Sequence, residues 1–307
     1  MGRRPVLACA FVVAALQAGC ADRAAGTRTT PAPDTHTSVP APVTAMVVGT
    51  AHGGHLKVAG YPMTKVEDLI LGYAPDLVLV EIRPEAFAAR RYEDGPLEMS
   101  YVTLAALARG IAVEPIDWWL DGETPDVPDD PVGGPAFERE YGDLARRIDQ
   151  ADTFELLNSE ARALDFLRIE NARARLGVGE GVAWHRRQSW FHFRAAEAIA
   201  RHGAHRVAAF VGFAHKPELQ MYLRALGLHV VSPTSVAIDH PVTHVPAPVL
   251  SFWKEGVARM RARLPGEPPG VRPRLERKLR SWEVAIAHEG ACCVDARELE
   301  VPAAPSP

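Results

Sequence analysis

Two histidines in this chain follow matched turns. Val47-Val48-Gly49-Thr50-Ala51-His52 and Phe210-Val211-Gly212-Phe213-Ala214-His215 both read as an apolar pair, a glycine, one variable residue, an alanine and a histidine. Glycine permits a tight strand exit and close backbone approach. An imidazole just beyond it can bind a metal or move a proton near neutral pH. Two carboxylates hold comparable positions, Glu81 after Leu77-Val78-Leu79-Val80 and Asp117 at the end of the run 111–117. One G-x-x-H is weak information. Two, each after an apolar run, are a more specific sign of an acid–base or metal site.

The elements that would carry these residues are legible as alternating patterns. Apolar runs at 45–49, 76–81, 111–117, 206–212 and 228–232 read as strands, and 64–73, 97–108 and 217–226 carry helical spacing. Strands alternating with helices imply parallel pairing, and near-continuous apolar runs imply strands covered on both faces. The expected fold class is therefore α/β, with a mainly parallel central sheet flanked by helices. Ligands of such sheets bind outside the carboxyl ends of the strands, where His52, Glu81, Asp117 and His215 converge if their strands are neighbours.

Between the third and fourth strands lies an insertion, about 120–200. It opens with an acidic, breaker-rich loop at 121–135 and continues as helices at 137–170 and 184–202, with a Gly-rich break at 177–181. It is long enough to cap the carboxyl edge of the strands. A further amphipathic helix spans 272–288.

The chain has 307 residues, 47% hydrophobic and 23% charged, enough apolar surface for a large core. Lys+Arg 34 against Asp+Glu 38 gives a net charge of -4, which speaks against a nucleic-acid partner. Arg3 and Arg4 precede an apolar run at 6–18, too short to span a bilayer but flanked like an export signal. Gly19-Cys20 resembles the processing site of bacterial lipoproteins, although Gln17 stands where that site usually has Leu. Plain secretion is the alternative.

The expected organisation is a signal peptide at 1–19, a disordered tether at 20–44, the α/β domain at 45–290 and a C-terminal tail at 291–307. The protein would be exported to the cell envelope, facing periplasm or exterior, and meet a membrane through lipid on Cys20. The four cysteines, Cys9, Cys20, Cys292 and Cys293, do not make a disulfide scaffold. The adjacent pair reads as a late packed segment.

The two G-x-x-H turns resemble those of the TraB/Tiki superfamily, which includes GumN-like proteins, erythromycin esterases and ChaN haem-binding lipoproteins. The likeness runs in order through GTAH (Gly49 to His52), PDLVLVE (Pro75 to Glu81), ARGIAVEPID (Ala108 to Asp117) and RVAAFVGFAH (Arg206 to His215). It implies a hydrolase of peptide or ester bonds, metal-dependent as in Tiki-type members or metal-free as in the esterases. A haem- or metal-binding lipoprotein without catalysis, or a degenerate member, is the alternative. Family members place an Arg followed by Asp or Asn before the second G-x-x-H strand. Here Arg194 is followed by Ala195, so Arg194 or Arg187 would serve.

On that resemblance His52 and His215 would hold a divalent cation, with Glu81 as third ligand or general base. Mn, Co, Zn and Fe all suit imidazole plus carboxylate. Asp117 would orient a histidine and Arg194 stabilise an oxyanion, while Gly49 and Gly212 shape the turns.

Blander readings stand beside these. His52 and His215 would cap strand exits, and Asp117 would cap the following turn. His55, which forms H-G-G-H with His52, is expected in a loop. Asp239, His240 and His244 lie among prolines and are expected to be exposed, and Trp118, Trp119, Trp184 and Trp190 to be packing.

Overall fold

The computed structural model describes residues 42–119, 134–149, 153–176 and 181–300. Five strands form an all-parallel sheet: β1 Thr44–Thr50, β2 Leu77–Val80, β3 Ala112–Pro115, β4 Arg206–Gly212 and β5 His229–Val231. Each lies within two residues of its predicted apolar run at either end. Their order is β3-β2-β4-β1-β5, so β4, late in the chain, is inserted between β1 and β2. Its register aligns Gly212 with Thr50 and Phe210 with Val80, which brings three strand exits side by side.

The helices among the described residues are α1 Lys65–Tyr73, α2 Pro84–Ala88, α3 Leu97–Leu107, α4 Gly134–Asp149, α5 Phe154–Leu157, α6 Glu160–Leu176, α7 Gly181–His202, α8 Lys216–Ala225, α9 Ala247–Arg263 and α10 Arg272–Ala287. Strand side chains alternate between two cores. Met46, Val48, Val78, Val80, Ala208 and Phe210 join residues of α1, α3, α9 and α10, including Leu69, Val102, Trp253 and Trp282. Ala45, Val47, Leu77, Leu79, Ala209 and Val211 meet Phe191 and Ala195 of α7 and Leu219 and Leu223 of α8. Burying one Val or Leu stabilises by about 1.5–3 kcal/mol. A one-residue slip would turn both sets to the wrong helices.

Three elements differ from expectation. The stretch 137–170 is three helices, and Thr153 caps the second by accepting a hydrogen bond from Leu156 N at 3.1 Å. Helix α9 was not anticipated, although its buried Val249, Trp253, Val257 and Met260 recur at helical spacing. Residues 291–300, expected as tail, are bonded to the domain: Val294 N donates to Leu56 O at 3.0 Å, and Arg280 Nε to Glu298 O at 2.6 Å.

The adjacent cysteines are not packed inside. Cys292 is half-buried and Cys293 exposed, with sulfurs 2.9 Å apart. The signal segment, Cys20, the tether up to residue 41, the acidic loop 121–130, residues 177–180 and residues 301–307 lie outside the described residues. No helix among the described residues is long and apolar enough to cross a membrane.

Candidate active site

The exit of β1 is held from behind by a helix. Thr50 Oγ1 donates to Glu98 Oε1 at 2.6 Å, and His52 Nδ1 donates to the same oxygen at 2.7 Å. Glu98 lies in the first turn of α3 and is fully buried. His52 takes a φ of +50°, a left-handed conformation that a non-glycine residue adopts at a cost of about 1–3 kcal/mol. The turn that follows is a short 3-10 helix, His52–Leu56. Contrary to expectation His55 is no loop residue. It is fully buried, its Nδ1 donates to Tyr61 O at 3.0 Å and its Nε2 accepts from Ala51 N at 3.2 Å. Burial holds it neutral, and its work is structural.

Glu81 sits at the exit of β2 and is nearly fully buried. Its Oε2 accepts from Gly212 N at 2.5 Å, and its Oε1 accepts from Arg187 Nη2 at 2.8 Å. Both histidines face that Oε1: His215 Nε2 at 3.5 Å and His52 Nε2 at 4.0 Å. Asp117, beyond β3, was expected to orient a histidine and touches neither. Its carboxylate accepts from Arg187 Nε at 2.7 Å and Nη2 at 2.9 Å, and caps its own turn by accepting from Trp118 N at 2.7 Å.

Arg187 therefore spans two buried carboxylates with one planar fork, the geometry for which arginine is suited. Arg194, the other arginine weighed from sequence, is outside this network. It pairs with Glu197 of its own helix at 3.5 Å and lies over the Trp190 ring at 5.5 Å.

His215 opens α8, which starts directly after it. Its ring is stacked between Trp184 and Phe191, at centroid distances of 4.5 and 4.6 Å. Gln188 Oε1 accepts from its Nδ1 at 2.6 Å, so the Nε2 lone pair is left toward Glu81. Gln188 and Trp184, like Arg187, come from α7, so the insertion does cap the carboxyl edge. Sequence reasoning missed Gln188 and Glu98. Glu98 had a signal, a lone carboxylate in the otherwise uncharged run 97–108.

Each glycine makes room for the opposite motif. A Cβ on Gly49 would lie 3.0 Å from Phe213 Cα and 3.2 Å from Lys216 Cδ. A Cβ on Gly212 would collide with His52 Nε2 and lie 3.3 Å from Glu81 Oε2. Neither position has a positive φ. Close approach, not conformational freedom, is what both require.

The two histidines are pushed apart in basicity. Burial works against the imidazolium of His52, but the fields of Glu98 and Glu81 outweigh it and raise its pKa to about 9. Glu98 answers in kind, held at about 2 by the His52 charge and hydrogen bond against the effect of its burial. For His215, burial and then the positive charges of Arg187 and His52 depress the pKa well below the usual histidine value. Burial raises Glu81, with His52 and Arg187 pulling against it. His52 retains 42% of its side-chain exposure, opening onto a cavity of about 540 Å³ that is also lined by Glu81, Asp117, Arg187 and His215.

A divalent cation was expected on His52, His215 and Glu81. Among the described residues no group of three His, Cys, Asp or Glu side chains is arranged to hold one. Arg187 donates to the Glu81 oxygen that both histidines face, so a cation there would stand beside a fixed positive charge. Asp239, His240 and His244 are exposed. Trp119 and Trp184 line the cavity, while Trp118 and Trp190 pack on each other at 5.1 Å.

Compared with models of protein families, with curated proteins and with solved structures, the chain gives no significant match.

Proposed function

We propose that this protein is a hydrolase of peptide or ester bonds in which His215 and His52 divide the base and acid work around Glu81. The observation that carries the reading is the facing of both Nε2 atoms onto one Glu81 oxygen, with the two imidazoles driven to opposite protonation. Titratable neighbours whose pKa values are forced apart mark acid and base roles. The resemblance to the TraB/Tiki superfamily, with its metal-free esterases, supports the same reaction class.

In this reading neutral His215, its Nδ1–H held by Gln188, takes a proton from water through Nε2. The hydroxide adds to the substrate carbonyl carbon, and the His52 imidazolium stabilises the oxyanion that forms. As the carbon–oxygen or carbon–nitrogen bond breaks, His52 Nε2 gives its proton to the leaving group. The proton taken up by His215 returns through solvent to His52, and acid plus alcohol or amine are released. A positioned acid or base is worth about 10²–10⁴-fold each. Arg187 neither gives nor takes a proton; it holds Glu81 and Asp117 in place.

The test is turnover of ester and peptide substrates by the protein and by His215→Ala, His52→Ala and Glu81→Gln. Loss of turnover in all three folded variants sustains the reading. Undiminished turnover in His215→Ala sinks it. A Soret band that depends on either histidine would replace it with haem binding.

A divalent metal is the second reading, favoured by one observation. Both Nδ1 atoms are tied, to Glu98 and Gln188, leaving both Nε2 atoms free in the way metal-binding histidines are oriented. It requires Arg187 to leave Glu81 Oε1. Stoichiometric Mn, Co, Zn or Fe, lost in a His52→Ala/His215→Ala double variant, would establish it.

Export and lipid anchoring at Cys20 belong to the same proposal, supported by the Arg3-Arg4 start, the apolar run and Gly19-Cys20. Mass spectrometry of the mature N-terminus decides between a diacylglyceryl cysteine and plain secretion.

A further inference from the structure

The adjacent thiols Cys292 and Cys293 lie outside the cavity on which His52 opens. Their backbone is held on both sides. Ala291 N donates to His288 O at 2.8 Å, and Val294 N donates to Leu56 O at 3.0 Å. Between these anchors Cys293 takes a φ of +69°, a left-handed conformation that a non-glycine residue keeps only where its surroundings enforce it. In that conformation the two sulfurs lie 2.9 Å apart, with Cys292 half-buried and Cys293 exposed.

A disulfide bond is about 2.05 Å long, so closure asks the sulfurs to approach by about 0.9 Å. Such a bond is no staple. The stabilisation a cross-link gives grows with the loop it closes, and neighbouring residues enclose almost none. Their Cα atoms stand about 3.8 Å apart across a trans peptide, below the usual disulfide range of about 4.4–6.8 Å, so the closed ring is strained. Strained or exposed disulfides are the readily reduced ones. An exposed thiol beside a second sulfur is also the arrangement of an attacking cysteine and its resolving partner. The hydrogen bond with Cys293, and then burial, push the Cys292 thiol up in pKa, so exposed Cys293 is the better-placed attacker.

We propose that Cys292 and Cys293 form a redox site that closes reversibly into a disulfide by exchange with a small-molecule disulfide. The Cys293 thiolate attacks one sulfur of the reagent, whose S–S bond breaks and whose other sulfur leaves as a thiol after taking a proton. The Cys292 sulfur, losing its own proton, then displaces the half held on Cys293 and closes the ring. The pair gives up two protons and two electrons, and the reagent is reduced to two thiols. Excess thiol runs the same steps backward. None of this depends on the hydrolase reading.

The experiment equilibrates the full protein in buffers of reduced and oxidised glutathione, blocks the free thiols and weighs the tryptic peptide 281–297, which holds both cysteines. In excess oxidised glutathione the peptide is expected to be lighter by two hydrogens and unblocked. In excess reduced glutathione it is expected to carry two blocking groups. The two forms are expected to melt alike, because the ring spans neighbours. Cys292→Ser is expected to stop at a glutathione adduct on Cys293, since the resolving sulfur is gone. Thiols that stay free in excess oxidised glutathione overturn the proposal, as does an adduct that never closes in the parent protein. A link to a second chain, a closed form that melts markedly higher, or one that reduced glutathione does not reopen overturns it equally.

Discussion

Gly212 is a glycine because of His52: a methyl group on the second motif's glycine would occupy the position of the first motif's imidazole Nε2. The two G-x-x-H turns are thus one interlocked unit, since Gly49 clears the same kind of space for Phe213. The backbone N–H of Gly212 also donates to Glu81, so one residue bears on the placement of both His52 and Glu81.

Gly212→Ala tests the interlock. The new methyl displaces His52 from Glu81, and such overpacking costs about 1–3 kcal/mol of stability. The loss of ester turnover is expected to exceed what a drop in folded fraction explains. Thermal melts and kcat/KM on the same preparation separate the two; a variant with wild-type kcat/KM contradicts the placement of His52.

The Glu98–His52 pair predicts how stability varies with pH. His52 has a folded pKa raised from 6.5 to about 9, so its contribution is complete below 6.5 and fades as pH rises toward 9. Glu98 is depressed from 4.5 to about 2, so its contribution is complete above 4.5 and fades as pH falls toward 2. The pair stabilises most between 4.5 and 6.5. In Glu98→Gln the melting temperature is expected to flatten across both flanks, and the histidine NMR titration of His52 to move down from about 9. A titration that stays put refutes the coupling.

Arg187 and Arg194, both in α7, are expected to behave differently. Arg187→Ala leaves two buried carboxylates without their cation, a change that costs about 3–5 kcal/mol. Arg187→Lys keeps the charge but loses the fork and is expected to fold with reduced turnover. Arg194→Ala, which removes a half-buried side chain outside the carboxylate network, is expected to cost less than Arg187→Ala. Urea melts of the three proteins rank them directly.

Chelation separates the two readings of the reaction. Dialysis against EDTA is expected to leave ester turnover intact, because Arg187 already neutralises Glu81. Turnover that disappears and returns with Mn, Co or Zn would move the centre to the metal reading.

Much of the architecture was already in the residue order. The inner strands β1, β2 and β4 were visible because burial on both faces writes a continuous apolar run, and burial is a local property of residue type. The glycines before His52 and His215, and Glu81 at its strand end, were visible for the same reason: a polar residue directly after such a run must lie at the sheet edge.

Tertiary structure alone decided which edges meet. Glu81 accepts from Gly212 across a sequence separation of 131 because β4 threads between β1 and β2, and no local pattern encodes that order. It also chose Arg187 over Arg194. The two lie seven residues, two helical turns, apart, so periodicity places them on the same face; a rise of about 1.5 Å per residue separates them along the axis. Only the docking of α7 against the sheet sets which turn reaches Glu81. His55 shows the same limit. The glycines of H-G-G-H suggest a loop, yet the neighbouring backbone of Ala51 and Tyr61 satisfies both ring nitrogens and draws the side chain inside.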